Sequence, residues 1–527
     1  MGDSVFTFAD EEERDVCALL SDPATHGGNT FDVVETHIAR VFLAGDNAYK
    51  LRKRVRLPFV DFSTFEARHA AAEREMELNR PHAPDLYLGL VPVVRADDGR
   101  LQLGGDGEVV EWAVHMRRFP QEDVLSHREE RGCLHEDLGK ALADMVARYH
   151  QDSPIAQSCE GAQIMAPVVD QLSGALSREY PDAAVAIRTA FERVGAQLTE
   201  RGNAGCVRRC HGDLHLGNIV LIGGKPVPFD ALEFSEALGT IDVLYDLAFL
   251  LMDLDARGDR SIANAVFNAY LAFEPIGGEI EGLACLPLFL ACRAGVRAIV
   301  AMARTGQLLD EDREAVRADI VRYASLAGTY LAPPAPLMIA IGGLSGTGKS
   351  TLAAMLAGHI GPAPGALHIR SDVERKRLFG VPETQRLDRQ HYRVGTAQRV
   401  YSIVEDKARR ALSAGHAVIV DAVFAKEEER ETAELIARET GCEFLGLWLT
   451  APPTTLISRV EHRHGDASDA DRRVVREQLS YDLGHMDWVE VDASGTPQES
   501  LAATLRALMA RGVPLDHDRF GPYPSEA

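Results

Sequence analysis

The spacing of apolar residues changes character along this chain, and each change predicts a different element. Between Thr36 and Arg54, Ala39-Arg-Val-Phe-Leu43 and Ala48-Tyr-Lys-Leu-Arg52 read as two short strands around a Gly45-Asp-Asn47 turn, where Gly and Asn are the expected turn chemistry. Phe65 to Arg80 is charged and free of Gly and Pro, which predicts a helix, and Val109 to Arg118 predicts a strand ending near Phe119-Pro120. Helical spacing in Ala-rich amphipathic segments covers His135 to Arg201. A strand, loop and strand follow from Arg208 to Phe229, and helices run from Asp242 to about Tyr330. Prolines in Ala332-Pro-Pro-Ala-Pro336 stop any helix and favour an extended spacer. Beyond it, Leu337-Met-Ile-Ala-Ile341 has the pattern of a buried strand, and strands and helices alternate to about residue 510. There are no short internal repeats.

A chain of 527 residues exceeds the size at which one core stops growing. The expected division is 1–330, a linker at 331–336, and 337–527. The net charge of -23 excludes broad, sequence-independent nucleic-acid binding, which needs a basic surface; a local groove in the arginine-rich C-terminal third stays open. Eight cysteines without a Cys-x-x-Cys pair predict free thiols in a reducing compartment. Met1-Gly-Asp-Ser-Val-Phe6 carries neither a basic nor an apolar leader segment and fails the myristoylation pattern at Phe6. Leu283 to Ala303 is the most apolar stretch, and Arg293 and Arg297 interrupt it as a membrane span. These features predict a cytoplasmic protein with no membrane partner. Oligomeric state is not encoded in any of them.

Chemistry enters at two places. The first is His211-Gly-Asp-Leu-His-Leu-Gly-Asn218. Phosphoryl transfer asks the protein for a carboxylate to orient the acceptor hydroxyl, oxygen ligands for Mg2+ and a cation on the ATP phosphates. Asp213 and Asn218, five residues apart, supply the first two, and Asp230 in Pro228-Phe-Asp-Ala-Leu-Glu233 offers a second metal ligand at a strand end. Lys50 is the expected phosphate clamp, held by Glu75 on the following helix. Arg52, Lys53 and Arg54 compete with the lysine, and Glu73 and Glu77 with the glutamate. Competing readings make His211 and His215 zinc ligands and Asp213 a turn residue. The acidic runs Asp253-Leu-Asp255 and Asp310-Glu-Asp312 read as solvated helix ends, or as a site for a cationic acceptor.

This constellation resembles the aminoglycoside phosphotransferase and choline kinase group of protein-kinase-like enzymes, over roughly residues 30–330. The resemblance implies an α+β kinase-like module with an N-lobe at about 30–118 and a C-lobe at about 120–330. It makes Asp213 the catalytic base, Asn218 and Asp230 the metal ligands, Met116 to Phe119 the adenine hinge, and Asp246 an anchor under the loop. The chain departs from protein kinases in lacking a full Gly-rich loop, His-Arg-Asp and Ala-Pro-Glu, which favours a small-molecule acceptor.

The second place is Gly343-Leu-Ser-Gly-Thr-Gly-Lys-Ser350, a full Walker A pattern between a predicted strand and a predicted helix beginning at Ser350. Glycines let backbone N–H groups turn in around phosphates, Lys349 bridges the terminal phosphates and Ser350 coordinates Mg2+. Gly343, Ser345, Gly346, Thr347, Gly348, Lys349, Ser350 and Thr351 are the nucleotide-binding candidates. Asp421 closes the apolar run Ala417-Val-Ile-Val-Asp421 as a Walker B metal ligand, against a plain strand end. Arg459 and Arg463, four apart, are predicted on one face of a lid helix, where they stabilise transition-state charge or are merely solvated. Ile369-Arg-Ser-Asp372-x2-Arg375 resembles the acceptor segment of polynucleotide kinases, chloramphenicol phosphotransferases and the zeta-toxin group, over residues 337–510. By that resemblance this half is an α/β P-loop domain with a parallel sheet. Asp372 is then the base and Arg375 the substrate anchor, with Lys376 and Arg377 nearby; the alternative role for Asp372 is to cap its helix. Gly465 to Ala470 reads as a loop with no derivable role.

Together the halves resemble bacterial fusions of an aminoglycoside phosphotransferase-like domain with a P-loop kinase. The expectation is an ATP- and Mg2+-dependent phosphotransferase with two kinase modules acting on small-molecule hydroxyls. The alternatives are a 5′-hydroxyl polynucleotide kinase in the C-terminal half and an ATP-binding regulator with little turnover.

Overall fold

The structure is a computed structural model that describes residues 8–57, 60–130, 134, 137–156, 161–305, 310–463 and 465–513, with the side chains of 129, 130, 137, 304, 305, 310–312 and 389 left aside. The Met1–Phe6 segment and the side chains of Asp310, Glu311 and Asp312 lie outside the described residues. The chain divides into two compact units, 1–134 with 148–157 and 207–246, and 135–147 with 158–206 and 247–527.

The first unit is built on an antiparallel sheet of β1 (Phe31–Glu35), β2 (Ala39–Ala44), β3 (Asn47–Arg52), β4 (Tyr87–Arg95), β5 (Leu101–Leu103) and β6 (Glu108–Arg117), in the order β1-β2-β3-β6-β4-β5. Pairing of Ala44 with Asn47 makes the β2–β3 turn two residues long, with Gly45 at φ 56°, so Asn47 belongs to the strand and not to the turn. That register sets Lys50 between Val41 and Val114. Since side chains alternate along a strand, Lys50 and Arg52 share one face.

Helix α1 (Phe65–Asn79) starts on Thr64, whose hydroxyl accepts the Ala67 N–H. Arg68, Glu75 and Asn79 lie on its buried side, each with a partner. Arg68 Nε donates to Glu111 at 2.7 Å, and Asn79 accepts the Ala231 N–H at 2.9 Å. Burying polar groups costs little only when each is hydrogen-bonded, and this helix docks by that rule. The 211–218 loop follows β7 (Val207–Arg209), which pairs with β10 (Thr240–Asp242), and precedes the hairpin of β8 (Ile219–Ile222) and β9 (Lys225–Pro228). Helix α2 (Val243–Ala256) begins at the end of β10.

In the second unit, helices Gly161–Leu176, Pro181–Asn203, α4 (Leu286–Thr305) and α5 (Asp310–Leu331) pack on one another, and α3 (Arg260–Phe273) precedes α4. By length and composition α4 is apolar enough to cross a membrane despite its arginines, contrary to expectation, but 61% of its Leu286–Ala303 stretch is buried inside the fold. Arg293 lies over the Phe249 ring at 4.7 Å and Arg297 over Tyr323 at 5.6 Å, so both charges face aromatic surfaces. Asp253 and Asp255 are not solvated helix ends: both are buried, Asp253 beside Arg257 at 3.2 Å and Asp255 accepting the Tyr330 hydroxyl at 2.6 Å.

Helix α5 ends at Leu331, and the proline stretch leads to β11 (Leu337–Gly343). With β12 (Leu367–Arg370), β13 (Val418–Asp421), β14 (Glu443–Thr450) and β15 (Val489–Asp492) it forms a parallel sheet in the order β12-β13-β11-β14-β15. All seven residues of β11 are buried, as a strand covered on both faces requires. Ile339, Ile341, Leu352, Leu356, Ile419 and Leu447 belong to one core that fixes α6 (Lys349–Ala357) against the sheet.

Edge strand β12 does not expose its backbone. Asn268 on α3 accepts the His368 N–H at 2.7 Å and donates to Ala366 O at 3.2 Å, and Asn264 donates to the same carbonyl at 3.2 Å. Two asparagines thus do the work of a neighbouring strand. Lys407 on α8 (Val394–Ser413) pairs with Glu274 at 2.6 Å and Arg410 with Glu281 at 3.0 Å. His416 completes this junction: its ring packs at 5.1 Å from Phe267 and lies 2.9 Å from Gly365 O.

Burial depresses the His416 imidazole from 6.5 to about 4. The unfolded chain therefore takes a proton below about pH 6.5 that the folded chain refuses until about pH 4. Its stabilisation is complete above that window and is lost as pH falls through it, by about 3 kcal/mol in full. Urea unfolding between pH 7 and 5 should show His416→Gln with a flatter acid slope than wild type; parallel slopes would contradict this.

Candidate active sites

The first site is assembled around the 211–218 loop. Asp246 on α2 accepts the His211 N–H at 3.2 Å and the Gly212 N–H at 2.9 Å, and the His150 ring stands 3.2 Å away. This buried carboxylate fixes the loop from below. Both loop histidines are engaged by the chain itself: His211 reaches Phe229 O beyond the following hairpin at 3.0 Å, and His215 accepts the Gly217 N–H at 3.0 Å. Asn218 donates to the Asp213 carbonyl at 2.9 Å and to its carboxylate at 3.0 Å, so the predicted pair is in contact.

Lys50 Nζ lies 2.8 Å from Glu75 and 2.5 Å from Asp230. Burial alone would lower the Lys50 ammonium, but the Asp230 and Glu75 carboxylates hold it above its ordinary value. Asp230 is correspondingly held low: burial works to raise it, and the Lys50 and Arg52 charges outweigh that. Its φ of 60° is left-handed, and its N–H meets the Tyr87 hydroxyl at 3.0 Å. Glu73 and Glu77 are spent on His69 and Arg74 at the surface, whereas Glu75 is 0% exposed.

Two residues of this cluster had no place in the sequence reading as ligating partners. Arg52 also pairs with Glu75, and it reaches Glu233 at 2.7 Å. The usable signal was spacing: Arg52 shares the Lys50 face of β3, and Glu233 stands three residues beyond Asp230.

In the second site, glycine conformations shape the phosphate loop. Gly346 has φ 88°, and a Cβ there would lie 2.7 Å from Leu456 O, so no other residue fits. Lys349 Nζ rests on Leu344 O at 3.2 Å, and Thr347 donates to the same carbonyl at 2.8 Å. Ser350 donates to Asp421 at the end of β13, the contact expected between Walker A and Walker B residues. Thr351 is exposed on α6. Burial lowers the Lys349 ammonium, and the Asp421 and Asp372 charges only partly offset this.

His368, 3.6 Å from Asp421, and Gln478 were not anticipated. Gln478 ends α10 (Arg472–Gln478), is 7% exposed, and accepts the Ser345 N–H of the phosphate loop at 2.7 Å. Nothing in the sequence marks a glutamine 133 positions away as a phosphate-loop partner.

Asp372 stands in the first turn of α7 (Ser371–Leu378), which has no side-chain cap, so capping does not explain it. Burial raises its carboxyl. Arg375 is 8% exposed, stacks 4.7 Å over Tyr392 and donates to His391 O at 3.2 Å. The two lid arginines do not share a helix face. Helix α9 (Pro453–His462) ends before Arg463, whose backbone is extended. Arg459 is directed to the carbonyls of Ala493 and Gly495 at 2.8 and 2.7 Å, and Arg463 to Ser468 O at 2.9 Å. Of the two, Arg463 contributes to the field at Lys349.

Comparison with known proteins resolves what these two sites belong to. Residues 37–283 match the phosphotransferase enzyme family, and residues 338–481 match an AAA domain. Over 490 residues the chain is 31% identical to "Uncharacterized protein Rv2004c" of Mycobacterium tuberculosis (strain ATCC 25618 / H37Rv), covering 89% of this chain and 94% of that one. The chain belongs to this two-domain family. The same identity and coverage hold for "Uncharacterized protein Mb2027c" of Mycobacterium bovis. Among solved structures, a choline/ethanolamine kinase family protein from Mesorhizobium loti is 14% identical, covers 61% of this chain and 98% of its own, and has a TM-score of 0.38. A gluconokinase from Sinorhizobium meliloti 1021 is 22% identical, covers 34% and 94%, and has a TM-score of 0.25.

This chain joins a kinase-like phosphotransferase module to a P-loop kinase domain with a parallel sheet, and it is an ATP-dependent kinase. The first match encloses Lys50, Glu75, Asp213, Asn218 and Asp230; the second encloses the phosphate loop, Asp372, Asp421 and Gln478.

The buried network around Glu75 yields a stability test. Glu75→Ala leaves Lys50 and Arg52 without their shared carboxylate, and breaking a buried ionic network from one side costs about 3–5 kcal/mol. Glu73→Ala, at an exposed pair, should change stability by less than about 0.5 kcal/mol. Equal urea-unfolding shifts for the two variants would show that the network does not stabilise the fold.

Proposed function

We propose that each module transfers the γ-phosphate of ATP to a hydroxyl group of a small molecule. The observation that carries this reading is the pairing, in each site, of a nucleotide clamp with a second carboxylate. Lys50 is engaged by Glu75 and Asp230, while Asp213 is held by Asn218. Lys349 and Ser350 are grouped with Asp421, while Asp372 on α7 adds a second negative charge that acts on Lys349. A protein that only sensed ATP would have no use for the second carboxylate.

In this reading Lys50 and Lys349 bind phosphate oxygens, and Asp213 and Asp372 orient the acceptor hydroxyl and take its proton. Arg375 contacts the acceptor, and Arg463 adds positive charge beside Lys349. Magnesium, when bound, neutralises phosphate charge. Its holders would be Asn218 and Asp230 in one site and Ser350 and Asp421 in the other, all hard oxygen donors of the kind it prefers. Asp230 and Asp421 are both held below the ordinary carboxylate range, so they stay ionised for that task. The free, mostly buried thiols among the described cysteines suit the reducing cytoplasm, where we place the protein.

The test is a transfer screen with γ-labelled ATP, Mg2+ and a metabolite extract, comparing wild type with Asp213→Ala and Lys349→Ala. Loss of different products in the two variants is expected for two independent kinases, and loss of one product in both for consecutive steps on one metabolite. Labelling of oligonucleotide 5′ ends by the Lys349 site would move that module to polynucleotide kinase. Intact ATP binding with no labelled product would overturn the proposal in favour of a regulator.

A further inference from the structure

Strand β12 runs directly into α7, and this segment carries Asp372 and Arg375. It lies inside the 338–481 match, yet its free edge is covered by α3, which lies inside the 37–283 match. Asn268 on α3 accepts the His368 N–H at 2.7 Å, and its amide joins that of Asn264 on Ala366 O, each at 3.2 Å. Arg260, at the start of α3, donates to Gly361 O at 3.1 Å, on the loop that leads into β12.

Helix α7 is tied to the same element through an ionic bridge. Glu374 stands between Asp372 and Arg375 in sequence and is 5% exposed, so its charge needs partners inside the fold. Arg377 supplies one from within α7, at 2.9 Å. Lys407 on α8 supplies another, with Nζ 3.1 Å from both carboxylate oxygens. The same ammonium lies 2.6 Å from Glu274, which closes α3. Glu274 reaches it from a left-handed backbone, φ 44°, which a residue other than glycine keeps only where its surroundings hold it.

We propose that Asn268 and Lys407 are positioning residues of the C-terminal site. Through them α3, a helix of the phosphotransferase module, sets where Asp372 and Arg375 stand. The inference rests on reading Asp372 as the base and Arg375 as the acceptor contact. The phosphate loop is fastened by its own domain, Ser345 by Gln478 and Ser350 by Asp421. Nucleotide binding and acceptor positioning are therefore separable, and only the second depends on the other module. Transfer is sensitive to such placement, since a shift of about 1 Å costs about a hundredfold in rate.

Full-length Asn268→Ala and Lys407→Met test this beside wild type, Lys407→Arg and Lys349→Ala. Amide hydrogen exchange should quicken over 367–378 in the first two variants and stay unchanged over 343–351. ATP affinity by titration calorimetry should also stay unchanged. Transfer from γ-labelled ATP and Mg2+ to a metabolite extract, counted as the label lost in Lys349→Ala, should fall by about tenfold to a hundredfold. Lys407→Arg should restore most of it, because a guanidinium can also bridge Glu274 and Glu374. Lys349-dependent label that survives both substitutions overturns the inference alone. A loss of ATP affinity matching the loss of transfer, unchanged exchange over 367–378, or Lys407→Arg as slow as Lys407→Met overturns it too. Wild type without any Lys349-dependent label overturns the transfer reading and this inference with it.

Discussion

A buried lysine must remain charged while most of its water is removed, and both sites are organised around that cost. The first site meets it with carboxylates in direct contact. Glu75 and Asp230 flank Lys50, and the ammonium is held above its ordinary value. The second site leaves Lys349 on a backbone carbonyl with its carboxylates farther off, and burial lowers it. One site thus holds its lysine within existing ion pairs, and the other leaves an under-compensated cation.

The same electrostatics explains the surroundings. Glu75 has two cationic partners, so Arg52 and Glu233 extend the pair into a chain of alternating charges inside the first unit. Helix α1 buries Ala71, Ala72 and Leu78, and satisfied polar contacts through Arg68, Glu75 and Asn79 join that apolar packing. In the second unit the parallel sheet is held by apolar burial, and the polar exceptions gather at its carboxyl end and at the β12 edge. There Asn264 and Asn268 take the hydrogen bonds of a missing strand, so the strand that leads to Asp372 is bound directly to α3.

Much of this was legible because motif chemistry is local. The Walker A glycines, Lys349 and Ser350 act through backbone that they themselves shape, and Asp213 meets Asn218 within one loop. Lys50 is set apart from Arg52, which shares its face, only by the contact with Asp230, and Glu75 from Glu73 and Glu77 only by the buried side of α1. The acidic pair Asp253 and Asp255 misled, because charge pattern cannot tell a solvated helix end from one that has found Arg257 and Tyr330. Arg459 and Arg463 misled for a related reason: four-residue spacing implies a shared face only while the helix lasts, and it stops at His462.

By itself the sequence determined two kinase modules, their order and the residues whose spacing within one strand, loop or helix turn dictates their chemistry. Tertiary structure decided which cations Glu75 serves, what caps the Ser345 amide and what covers β12. Those pairings join residues from about 23 to more than 130 positions apart. Such contacts are selected by burial and register in the folded chain, which no short-range pattern encodes.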